Sequence, residues 1–142
     1  MFKKIFKKQE EKKSDNAQNI LIAALLIHAA KIDEKYTDQE KLIIKKALMN
    51  LNNMNSDQIE KLMTLAEKKE EEQNQIIEFT REIKKISMES RLKIIEIIWK
   101  IVYSDGVSDS YESNLIRRIC GLLYISDKDN GNIKNKIQDM QK

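Results

Sequence analysis

Four carboxylates are the side chains of this chain best suited to chemistry. Asp33 is followed seven positions later by Glu40, and Asp105 is followed seven positions later by Glu112. The shared spacing belongs to an internal repeat. Residues 28–46, HAAKIDEKYTDQEKLIIKK, align without a gap with residues 100–118, KIVYSDGVSDSYESNLIRR. In each copy a helical stretch runs into an acidic turn, and a second helix opens on a capping-box sequence, Thr37-Asp38-Gln39-Glu40 or Asp109-Ser110-Tyr111-Glu112. A tight helical hairpin brings its aspartate and its glutamate to one mouth. If the two hairpins pack about a pseudo-twofold, all four carboxylates converge. Hard divalent cations favour such oxygen-rich sites, and without a cation the carboxylates repel and raise one another's pKa values. The same residues admit a second reading. A glutamate at the third position of a helix reaches back to the N-cap backbone, and an aspartate before glycine is an ordinary turn residue. The run Asp105-Gly106-Val107-Ser108-Asp109 lacks the residue order of an EF-hand.

Other chemistries find little support. Cys120, the only cysteine, sits in the apolar run Ile119-Cys120-Gly121-Leu122-Leu123, far in sequence from the only histidine, His28. It reads as a packed side chain in a reducing compartment. No nucleophile with an adjacent base, Gly-rich phosphate loop or His-rich metal motif is present. A non-enzymatic protein is expected, with no catalytic residues and no organic cofactor.

The elements that must position the carboxylates are helices. The 142 residues contain no proline and three glycines, and apolar residues recur at spacings of three and four. This predicts an all-α domain of six to seven helices in two related helix-turn-helix halves. The first helix begins near Ser14 to Ala17, ends near Lys31, and carries the longest apolar stretch, Ile20 to Ala30, as a central core helix. The second, from Thr37 to about Leu51, is expected to bury Leu42, Ile43, Ala47 and Leu51. Ser56 is expected to cap a third helix with Ile59, Leu62, Met63 and Ala66 inward. The charge run Lys68 to Glu72 reads as a solvated face. A fourth helix spans Gln75 to Ile86, and Ser87 caps a fifth that buries Leu92, Ile95, Trp99 and Val102. A sixth follows the second acidic turn with Leu115, Ile116, Ile119, Leu122 and Leu123 inward, and Ser126 caps a weak, polar last helix.

Charge separates the N-terminus from the rest. Residues 1–13 hold six lysines and two glutamates, so the remainder of the +3 chain sums to −1. A near-neutral body argues against nucleic acid as a partner. The tail 1–13 places Phe2, Ile5 and Phe6 on one helical face among lysines. It reads either as a solvated, disordered terminus or as a basic amphipathic segment making weak contact with an anionic membrane. The body, 14–142, reads as one domain. With no signal peptide and no spanning-length apolar run, a cytoplasmic location is expected, with the tail as the route to the inner membrane surface.

The run RLKIIEIIWKIVYSDGVSDSYESNLIRRICGLLYISDKD, residues 91–129, closely resembles the bacterial TerB-like family of tellurite-resistance proteins and their relatives. The resemblance rests on Ser104-Asp105-Gly106, on Glu112, and on the stretches Asn114 to Ile119 and Leu122 to Ser126. The first half, Ala23 to Leu48, matches more loosely, and the whole covers about residues 17–130. It implies a compact helical fold with duplicated halves and a divalent-metal site at Asp33, Glu40, Asp105 and Glu112. It also implies a protein partner and a stress-response role. Related domains also occur beside J domains in membrane-linked co-chaperones, but this chain lacks proline and hence the His-Pro-Asp motif of a J domain; an envelope-associated role is expected beside the stress-response one, and a purely structural interaction scaffold is the alternative. Two departures stand out. Glu34 occupies the place of the family's glycine, and His28 and Lys100 occupy positions that are often acidic in relatives.

Overall fold

The computed structural model describes residues 17–33, 36–73, 75–105 and 110–140, without the side chains of Asp33, Asp105, Ser110, Tyr111 and Glu112. The tail 1–13 and the Gly106–Asp109 segment therefore lie outside the described residues. Seven α-helices and no strand are found among them, as the periodicity predicts. In chain order they are α1 (17–30), α2 (Asp38–Asn52), α3 (Ser56–Glu72), α4 (Ile76–Ile83), α5 (Met88–Val102), α6 (Ser110–Leu122) and α7 (Asp127–Met140).

Two helices form the interior. In α1, Ile22 through Ile27 are all buried, as are Ala29 and Ala30. In α5 the same holds for Ile94, Ile95, Ile97, Ile98, Trp99, Ile101 and Val102. A helix that is apolar on nearly every side is enclosed by its neighbours. One core cluster joins both helices, together with Ile44 and Leu48 of α2, Phe79 of α4 and Ile116 and Ile119 of α6. These central helices are the first helices of the two repeats. Each continues into a single 3-10 turn, Lys31–Asp33 after α1 and Tyr103–Asp105 after α5. The two aspartates end these turns at equivalent positions of the repeat.

The halves interlock. The second helix of the first repeat, α2, packs on α5, and the Lys31–Asp33 turn packs on α6. The second helices of both repeats end alike. Asn53 after α2 and Tyr124 after α6 adopt the left-handed conformation. Behind them the Met54 N–H donates to the Met49 carbonyl and the Ile125 N–H to the Cys120 carbonyl, at 3.4 and 2.8 Å. This is the hydrogen-bond frame of a Schellman cap.

Three expectations are corrected here. The inward face of α2 is set by Ile44 and Leu48, while Leu42 is 50% exposed and Ile43, Ala47 and Leu51 are half-buried. The stripe is rotated because α2 must meet both α3 and α5. The N-cap of α3 is Asn55, whose side chain accepts from the Gln58 N–H at 2.9 Å while Gln58 returns a bond to the Asn55 N–H; Ser56 is already helical. The last helix is polar but not weakly held. Ser126 caps it as expected, accepting from the Asp129 N–H at 3.1 Å. Ile137 is buried, and Asn130 accepts the Trp99 indole N–H at 2.9 Å.

Candidate functional site

The first acidic turn is built between α1 and α2 and is faced by α3. Glu40 lies at the third position of α2 and is 8% exposed. Its Oε1 accepts from the Thr37 backbone N–H at 3.0 Å and from the Thr37 hydroxyl at 2.9 Å. The Glu40 N–H donates back to Thr37 Oγ1 at 3.1 Å, which completes the capping box. Sequence spacing anticipates this role.

Of the four predicted carboxylates, Glu40 is the one whose side chain is described. Asp33 and Asp105 are placed by backbone at the ends of the two 3-10 turns, and Glu112 in the first turn of α6. The packing of the Lys31–Asp33 turn on α6 makes neighbours of an element of the first repeat and the helix that carries Glu112. Among the described residues, no group of three or more His, Cys, Asp or Glu side chains is arranged to hold a metal ion.

Around Glu40 the sequence reading missed a polar network. Glu70 of α3, within the run expected to be a solvated face, is 6% exposed. Its Oε1 lies 3.2 Å from His28 Nδ1 and its Oε2 accepts from Lys31 Nζ at 2.7 Å. One helical turn earlier, Glu67 accepts from the Tyr36 hydroxyl at 3.4 Å and pairs with Lys41 Nζ at 2.8 Å. The Tyr36 hydroxyl is held well above its ordinary pKa, first by burial and then by Glu67, with Glu40 and Glu70 adding to the effect. The Lys41 ammonium is raised chiefly by its hydrogen bond to Glu67. The signal for Glu70 was present in the sequence, because position 70 continues the inward series Ile59, Leu62, Met63 and Ala66 by one more turn. His28 is a half-buried partner of Glu70 and tilts against the Phe79 ring at 6.3 Å.

The second half is arranged differently. Lys100, the counterpart of His28, lies 4.0 Å from Glu96 on its own helix, and Glu96 also accepts from Lys136 of α7 at 3.1 Å. The Ser104 hydroxyl donates to the Ile101 carbonyl at 2.6 Å. Tyr103 stacks on Trp99 with ring centroids 5.6 Å apart. Cys120 is buried, and burial followed by the nearby Asp127 pushes its thiol up to about 12. At neutral pH it is a packed thiol and not a nucleophile. A separate groove runs between the start of α1, the α2–α3 loop and the α4–α5 turn, lined among the described residues by Asn19, Asn53, Gln58, Leu65 and Ile86.

Comparison with known families decides the kinship. The model of the family described as "Tellurite resistance protein TerB" matches residues 19–135. The chain belongs to the TerB family. The match includes most of α7, so the TerB domain extends past residue 130, where the sequence resemblance fades. No curated protein and no solved structure matches this TerB chain significantly. No helix among its described residues is long and apolar enough to cross a membrane.

Proposed function

We propose that this TerB-family domain is a non-enzymatic module that binds one divalent cation through its acidic turns and engages a protein partner, in a stress-response or envelope-associated role. One observation carries the cation reading: the turn ending in Asp33 packs on α6, the helix whose first turn includes Glu112. Two Asp-to-Glu elements on interlocked halves support the reading of a shared oxygen-ligand site. The donor set of Asp33, Glu40, Asp105 and Glu112 is chemically suited to a hard cation such as Ca²⁺, Mg²⁺ or Mn²⁺. Titration calorimetry of metal-stripped protein with Ca²⁺, Mg²⁺, Mn²⁺ and Zn²⁺ tests the reading. Saturable heat with a hard cation, abolished in Asp105→Ala with Glu112→Ala, is the expected result. No heat with any of these ions, or an unchanged response in the double variant, overturns it.

A second reading is favoured by the geometry of Glu40, whose Oε1 serves Thr37. In that reading the glutamates are helix caps and the domain is an interaction scaffold that works without a cation. A partner that binds equally well in a chelator and in millimolar cation would support the scaffold.

A further inference from the structure

The first acidic turn is flanked by two pairs of contacts that come from one helix. On its N-terminal side, His28 and Lys31 both reach Glu70 of α3, at 3.2 and 2.7 Å. On its C-terminal side, Tyr36 and Lys41 both reach Glu67 of α3, at 3.4 and 2.8 Å. Lys31 also stands over the Tyr36 ring, 5.8 Å from its centroid, so the two sides of the turn touch each other. Glu67 and Glu70 are three residues apart on α3 and therefore share a face. Both are placed by a helix anchored in the core through Ile59, Leu62, Met63 and Ala66.

The second turn carries Gly106, and its counterpart in the first is Glu34. Both positions lie outside the described residues. Among the described residues of the second half, Lys100 pairs with Glu96 on its own helix.

We propose that Glu70 and Glu67 are positioning residues: α3 pins both sides of the first acidic turn and thereby fixes where Asp33 and Glu40 stand relative to each other. The consequence for cation affinity rests on the cation reading above; the bracing itself does not. Glu70 is buried and paired with Lys31, so the contact is more than a screened surface ion pair.

Hydrogen exchange on the full chain tests this, comparing wild type with Glu70→Gln, Lys31→Gln and, as a control on an exposed ion pair, Glu82→Gln. Amides of residues 31–33 and 36–37 are expected to exchange about tenfold faster in Glu70→Gln and in Lys31→Gln, while α5 amides keep their protection. Protection of α5 in each variant separates loss of the brace from a general loss of folding. Unchanged exchange of the turn in both variants, or equal acceleration throughout α5, overturns the proposal. Cation affinity measured on the same proteins is expected to fall about tenfold in Glu70→Gln, as for residues that orient ligands without touching the ion. Wild-type affinity in a variant whose turn exchanges faster would refute the link to the site. If wild type binds no cation, the cation reading fails by itself and the exchange result still decides the brace.

Discussion

Glu40 shows how one residue carries two readings. Its carboxylate satisfies the Thr37 N–H and hydroxyl, while the Thr37 hydroxyl accepts from the Glu40 N–H. The capping function needs an acceptor, not a charge, so the two readings part at a single substitution. Thr37→Ala is expected to lower stability by about 1 kcal/mol, the usual cost of losing an N-cap side chain. Glu40→Gln is expected to cost much less, because glutamine also closes a capping box. Urea unfolding of both variants in the absence of divalent ions checks this. A Glu40→Gln loss as large as that of Thr37→Ala would show that the charge itself is structural. Residue-scale legibility was uneven for a physical reason. Capping boxes are local, so Thr37 with Glu40 could be read from spacing, as could the Ser87 and Ser126 caps. The partnership of Glu70 with His28 and Lys31 joins positions about forty residues apart and depends on how α3 lies against α1.

At the scale of elements, the internal repeat is deeper than its sequence suggests. Both central helices continue into a 3-10 turn that ends on the aspartate, and both following helices end in a left-handed cap. The cap at Tyr124 was not legible because it uses neither glycine nor asparagine. At Tyr124 a β-carbon stands at φ 59°, where a non-glycine residue costs roughly 1–2 kcal/mol, and the side chain is 67% exposed with little packing to lose. Tyr124→Gly is therefore expected to raise stability by about 1 kcal/mol. Thermal unfolding measures it. A loss of stability would mean that the tyrosine ring contributes more than its exposure indicates. The rotated stripe of α2 has the same lesson. Leu42, Ile43 and Ile44 are consecutive apolar residues, so the local pattern allows more than one inward face, and packing on α3 and α5 selects Ile44.

For the whole molecule, helix content and the two-half plan were written in the absence of proline, the helical periodicity and the gapless repeat. The interlocking of the halves was not, because nothing local says that α2 packs on α5 or that the first acidic turn packs on α6. That interlocking is what turns two acidic hairpins into one proposed site. The claim is best tested by a double-mutant cycle on cation affinity with Asp33→Asn, Asp105→Asn and the double variant. If both turns serve one ion, wild type binds one equivalent, and the second substitution costs at least about 1 kcal/mol less once the first is made. Binding of two equivalents, or losses that add in full, would contradict a shared site.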